Sequence, residues 1–210
     1  SVRIPLLPTG QWLHSPANDP LWTLACELDF PISIHGEYRQ RRFQPFAGIK
    51  YDPSAGALEA LDHALGFPCD NMTTMGHFIF SGMLDRFASL RLAILESNAG
   101  WLPFWLGRMD EHSHGRNSMF FNAEKLPMTP SEYVSRQCYI ACDGDERALK
   151  YVVDYMQGEN LVRNTDYPHP DAPNPVEALP DLDSQAISHD AKRQILWDNS
   201  VNLYGQRLVT

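Results

Sequence analysis

The stretch LRLAILESNAGWLPFWLGRMDEH, residues 90–112, changes its period halfway along. LRLAILES (90–97) is a short apolar run ending on a carboxylate, Glu96, as a buried strand would. The chain then turns through glycine. It continues with Trp101, Phe104, Trp105 and Met109 at helical spacing, expected to pack on one face. Strand, turn and helix in this order form one unit of a parallel sheet with helical crossovers.

The alternation recurs on both sides. VRIPLLP (2–8) reads as a strand, and DPLWTLACEL (19–28) as a helix with Asp19 at its cap and Pro20 in its first turn. Leu21, Trp22, Ala25 and Leu28 are expected on its core face. FPISIHG (30–36) is a second strand. Residues 37–70 are polar and turn-rich, a loop or an insertion with its own short helix at ALEALDHAL (57–65). MTTMGHFIFSGMLDRF (72–87) reads as a helix. TPSEYVSRQ (129–137) opens one with a capping box, Thr129 and Glu132. CYIACD (138–143) is a fourth strand, 145–158 a helix closed by Gly158, and LVRNTDYP (161–168) a fifth strand. The last helix, 188–205, is capped by Ser188 and stopped at Gly205. This alternation predicts an α/β fold, in which ligands bind at the carboxyl ends of the strands. No strand is followed by a GxGxxG or GxxxxGK motif, which argues against dinucleotide and P-loop versions.

Composition narrows the field. With 210 residues, 43% hydrophobic and 20% charged, the chain suits one globular domain. A net charge of −9 without a long basic run argues against nucleic acid as a partner. No run is long and apolar enough for a membrane span. The four cysteines show no CxxC spacing, which fits a cytoplasmic enzyme with reduced thiols. The sequence opens on SVRIPLLP without a methionine, an abrupt entry expected of a cut or processed chain.

Three strands end on residues of one chemical kind: His35, Glu96 and Asp166. Each has an ordinary reading: a hydrogen-bonded structural histidine, a helix cap or arginine partner, and a turn cap. At equivalent positions, together, they point to a shared site, because histidine and carboxylate are both metal ligands and general acid–base groups. His77 sits mid-helix as a core histidine or a pocket-facing one. His112 and His114 end a helix, where they suit the dipole. His14, His63 and His189 belong to no constellation.

FPISIHG, SGMLDRFASLRLAILESNAGWLPFWLGRMDEH, NTDYPHPD and the closing DNSVNLYG resemble, in this order, the C-terminal portion of amidohydrolase-related enzymes. This is the branch that includes aminocarboxymuconate-semialdehyde decarboxylase. The resemblance implies a (β/α)8 barrel of TIM type, of which residues 1–210 supply about strands four to eight, with an insertion at about 37–70. It also implies a divalent metal at the strand ends, zinc as the expected ion and manganese or iron as alternatives. By motif, His35 falls on the family's fifth-strand metal histidine and Asp166 on its eighth-strand metal aspartate. Glu96 stands where the family often has a histidine, as an oxygen ligand or a general base; Asp166 is also a candidate proton acceptor. His169 is placed to line the substrate pocket. His77 and Trp101 are further substrate-side candidates, with packing as the competing reading.

The family's first-strand His-x-His pair has no counterpart before His35; the one such triplet, His112–His114, follows it. Catalytic metals use at least three protein ligands, so a complementary N-terminal barrel segment or chain is expected as a partner. A small-molecule substrate and a homo-oligomer are expected too. The function implied is a metal-dependent hydrolase of a small organic substrate. The alternatives are a metal-dependent non-oxidative decarboxylase, or a non-catalytic fragment or subunit that completes another chain's barrel.

Overall fold

The computed structural model describes residues 2–3, 12–36, 58–114, 126–169, 172 and 175–205. Five strands lie side by side in chain order, every neighbouring pair parallel: β1 (Val2–Arg3), β2 (Ile32–His35), β3 (Leu92–Leu95), β4 (Cys138–Cys142) and β5 (Leu161–Arg163). A strand order that never reverses is the winding of a barrel, not of a doubly wound open sheet. Helices α1 (Asp19–Glu27), α2 (Leu58–Phe80), α3 (Met83–Arg86), α4 (Leu102–Ser113), α5 (Pro130–Gln137) and α6 (Leu149–Met156) fill the connections. After β5 come α7 (Pro175–Ser184), α8 (His189–Arg193), a π-helical stretch Gln194–Asp198, and α9 (Asn199–Tyr204).

The two-residue period of the strands sorts their side chains between faces. Ile32, Ile34, Leu92, Ile94, Ile140 and Leu161 join Trp22, Phe78, Leu102 and Leu149 in the main core between sheet and helices. The alternate residues, Ala93, Tyr139, Ala141 and Val162, form a smaller cluster with Leu203 on the other face. The two alanines there leave room for Tyr139 and Leu203 on the confined inner face of a barrel.

At the amino ends of the strands, three buried amides hold the chain. Gln137 donates to the carbonyls of Phe87 and Leu90 at 3.2 and 2.7 Å, Asn160 to those of Val134 and Ser135 at 2.8 and 2.7 Å, and Asn199 to those of Gly158 and Leu161 at 2.9 and 2.8 Å. Each gives both amide hydrogens to backbone carbonyls around a strand entry, two of which, Phe87 O and Val134 O, also accept from Leu90 N and Cys138 N.

Several expectations are corrected. Of the strand expected over 2–8, Val2–Arg3 are in β1, and 4–8 lie outside the described residues. The helix expected at 57–65 and the first part of the one expected at 72–87 are one 23-residue helix, α2, which runs through Pro68 and ends at Phe80; beyond Gly82, at φ 73°, Met83–Arg86 form the separate α3. Proline removes one intrahelical hydrogen bond, the one Ala64 O would accept, but does not forbid the helix when packing supports it. The expected insertion thus falls partly in α2, and residues 37–57 lie outside the described part. Helix α7 was not anticipated, since Pro180 sits inside it. Phe104 points to solvent at 66% exposure, and Leu21 and Leu28 are exposed at 38% and 48%, because Trp22 and Ala25 set the buried face of α1. The capping box of α5 forms as expected, with Glu132 Oε2 accepting from Thr129 N at 2.7 Å.

Candidate functional site

Register brings the site together. His35 pairs with Leu95, so the histidine ending β2 lies level with the carboxylate that follows β3. His35 Nε2 contacts Glu96 Oε2 directly, while His35 Nδ1 lies 2.6 Å from Gly36 O. A carbonyl only accepts, so Nδ1 carries a proton and donates it. Nε2 is thereby the nitrogen presented to Glu96. A backbone carbonyl holding Nδ1–H is the usual support of a histidine that ligates metal through its other nitrogen.

The backbone at this edge is held in uncommon conformations. Glu96, Asn98 and Asp166 have φ of 56°, 54° and 53°. Left-handed backbone costs an ordinary side chain roughly 1–2 kcal/mol, and such residues concentrate where a side chain must be aimed. Gly36 permits a close approach: a Cβ there would stand 2.6 Å from Phe67 Cα. The backbone of α2 therefore passes directly over the end of β2.

Glu96, Ser97, Asn98, Asp143, Asn164 and Asp166 line a cleft of about 210 Å³, walled on the α2 side by His63, Ala64, Phe67 and Pro68. Asn98 Nδ2 donates to Asp143 Oδ2 at 2.7 Å, and Arg163 Nη1 lies 3.6 Å from Asp143 Oδ1. Glu146 accepts from Ala99 N at 3.0 Å and Gly100 N at 2.5 Å, tying the β3–α4 turn to the β4–α6 turn. Gly100 leaves room for it, since a Cβ would meet Glu146 Oε1 at 3.0 Å.

Burial pushes the Glu96 carboxyl above its ordinary range; His35 and His169 oppose the rise and Asp166 adds to it. Burial likewise raises Asp143, against the pull of Arg163, and raises Glu146, against its backbone donors. A cleft rich in reluctant carboxylates is a place where a cation or a proton is welcome.

The candidates divide accordingly. His35 and Glu96 are in contact, and Asp166 lines the same cleft and acts on Glu96 electrostatically. His169 stands at the rim, Nδ1 3.7 Å from Asp166 Oδ2 and 53% exposed. Trp101 turns back to its own loop, Nε1 donating to Ser97 O at 3.1 Å, and packs on the core. His77 bonds His14 at 2.8 Å, ten residues along α2 from Phe67, and does not line the cleft. His112 and His114 bond within and just after α4. Sequence reasoning missed Asp143, although CYIACD ends on a carboxylate as LRLAILE does. It also missed His63, for which no local signal existed.

The donor set, histidine nitrogen plus carboxylate oxygens, fits a divalent cation. Among the described residues, no three histidine, cysteine or carboxylate side chains are grouped closely enough to hold an ion alone. All four cysteines are free, and burial lifts Cys138 and Cys142 to about 12, which makes them unreactive.

A family model described as Amidohydrolase matches residues 1–206. Over 106 residues the chain is 28% identical to the 2-amino-3-carboxymuconate-6-semialdehyde decarboxylase of Dictyostelium discoideum, covering 50% of this chain and 29% of that protein. Among solved structures it resembles a putative amidohydrolase from Staphylococcus aureus (TM-score 0.74, 22% identity, 97% of this chain, 63% of that one). It also resembles the 5-carboxyvanillate decarboxylase of Novosphingobium aromaticivorans, solved with manganese and 4-hydroxy-3-methoxy-5-nitrobenzoic acid (TM-score 0.71, 24% identity, 96% of this chain, 55% of that one). The chain thus spans 55–63% of these solved relatives and 29% of the curated one. Its five strands are part of a TIM-type barrel, and the chain belongs to the amidohydrolase family.

Proposed function

We propose that this chain supplies much of the catalytic face of a metal-dependent amidohydrolase-family enzyme acting on a small organic substrate. The observation that carries the reading is the His35 arrangement: Nδ1–H is committed to Gly36 O while Nε2 meets Glu96. His35 and Asp166 would hold a divalent ion, with Glu96 as a third oxygen donor or as the base beside it. Bound there, the ion would polarise a substrate oxygen or lower the pKa of a water. The chain's own groups do the rest. Glu96, its carboxyl raised by burial, takes or returns a proton at its carboxylate oxygen. Asp143, fixed by Asn98 and Arg163, presents a second carboxylate to the cleft. Phe67 and Pro68 exclude water on the α2 side.

Two reactions use such a site, hydrolysis and non-oxidative decarboxylation. The named decarboxylase relatives, one solved with manganese and a nitrobenzoic acid, favour decarboxylation of an aromatic or unsaturated carboxylic acid. They also make manganese as good a candidate as zinc. Completion by further barrel units, from the same polypeptide or a partner, is part of the proposal. The exposed Leu21, Leu24 and Leu28 stripe of α1, next to the sheet's first strand in the chain, offers an apolar flank for it or for a second copy. Among the described residues no helix is long and apolar enough to cross a membrane. A cytoplasmic location is part of the proposal on the ground of the four free cysteines.

The test is elemental analysis of the purified protein, followed by assays with carboxylated phenols. Bound manganese or zinc together with release of carbon dioxide supports the decarboxylase reading. Metal with hydrolysis of amides or esters instead supports the hydrolase. No bound metal, in the chain alone and in the completed barrel, defeats both.

A further inference from the structure

Away from the cleft, three aromatic rings stack where the chain approaches α1. His14 and His77 lie 5.0 Å apart with an interplanar angle of 29°, and Trp12 stacks on both at 6.2 and 6.5 Å. His14 Nδ1 and His77 Nε2 are 2.8 Å apart. We propose that Trp12, His14 and His77 form a proton-operated clasp, which fastens the Trp12 ring onto α2 and releases it in acid.

The chemistry of two facing imidazole nitrogens sets how the clasp works. One nitrogen must donate and the other accept, so at least one ring is neutral at the shared edge. With both rings neutral the bond holds. A first proton leaves an imidazolium facing an imidazole, and the charge-assisted bond is stronger. A second proton puts donor against donor with two positive charges in contact, and the bond is lost. Release therefore belongs to the second proton alone.

The surroundings oppose that second proton. Burial holds His77 below its ordinary value of 6.5, and the His14 charge adds to the effect. From α3, Arg86 donates to His14 O at 3.4 Å and pairs with Asp19, the first residue of α1. From α2 itself, Ser81 Oγ donates to His77 O at 2.6 Å. The backbone of the approach segment is held independently: Trp22 Nε1 donates to Leu13 O at 3.2 Å, Leu13 packs on the core, and Ser15 N and Asn18 Nδ2 each donate to Trp12 O at 2.9 Å, which leaves the Trp12 ring to the histidines. Trp12 is 67% exposed, so its ring is retained chiefly by the histidine stack.

The clasp is tested on the chain as it stands, by imidazole nitrogen NMR and by the fluorescence difference between wild type and Trp12→Phe. The His77 signal should titrate below 6.5, in the step that puts a second proton on the shared edge. The Trp12 signal should stay flat through the first step and change with the second. In His77→Gln the amide bonds His14 in either charge state, so the Trp12 transition should vanish. In His77→Ala the neutral-pH signal should already equal the acid signal. The proposal is overturned if His77 titrates at or above 6.5, a result read from wild type whether or not the variants fold. It is equally overturned if Trp12 follows the first step or keeps its transition in His77→Gln.

Discussion

The two ends of the strands are built on opposite principles. At the amino ends, Gln137, Asn160 and Asn199 each give both amide hydrogens to backbone carbonyls and are almost wholly buried. At the carboxyl ends stand Glu96, Asp143 and Asp166, two of them with carboxyls that burial raises; left-handed backbone occurs at both ends, at Glu96 and Asp166 and at Asn160. Neutral, satisfied amides stabilise; desolvated acids cost stability, a cost that the proposed metal site would account for. Stability and chemistry are thus assigned to different ends, as barrel enzymes assign them.

The division can be broken by substitutions that cross it. The largest stability effect is expected at the amino end. Asn160→Ala removes the amide donor from Ser135 O and from Val134 O, which keeps Cys138 N, and should lower unfolding free energy by about 2–4 kcal/mol. Denaturant midpoints measure this, and metal affinity of the folded fraction should not move. A loss below about 1 kcal/mol would mean that water replaces the amide and that the two ends are less distinct.

Glu96→Gln reverses the pattern. The substitution keeps shape and removes a charge that burial disfavours, so stability should change by less than about 1 kcal/mol. Affinity for manganese should fall at least about tenfold. If stability collapsed and metal binding persisted, Glu96 would be a structural residue.

A smaller effect concerns pH. Burial raises Glu146 from its ordinary 4.5, so the folded state binds its proton more tightly than the unfolded state does. The stabilisation from that proton is complete below 4.5 and is lost as pH rises through the raised folded value. Glu146→Gln should therefore flatten stability against pH in that window, while its side-chain oxygen still accepts from Ala99 N and Gly100 N. An unchanged slope in denaturation midpoints would remove Glu146 from the acids that cost stability.

Local signals were legible in the sequence. The Thr129–Glu132 capping box, the Ser188 cap and the apolar strand runs with their terminal His35 and Glu96 depend on neighbours a few residues away. What depended on distant neighbours was not. Pro68 reads as a break, yet packing carries α2 through it. Phe104 has the spacing of a core residue, but the face of α4 is set by Leu102, Leu106 and Met109. His63 enters the cleft wall only because α2 extends across the end of β2. His77 shares α2 with it and is spent on His14 instead. Asp143 was open to the strand-end rule that found its neighbours.

The central claim is that His35, Glu96 and Asp166 are one divalent-metal half-site. Manganese titration of the chain, followed by electron paramagnetic resonance, addresses it most directly. Weak saturable binding is expected, since the full ligand set is not in these residues, and both His35→Ala and Asp166→Asn should abolish it. Binding that survives both substitutions, or no binding by the chain and by its completed barrel, would contradict the account.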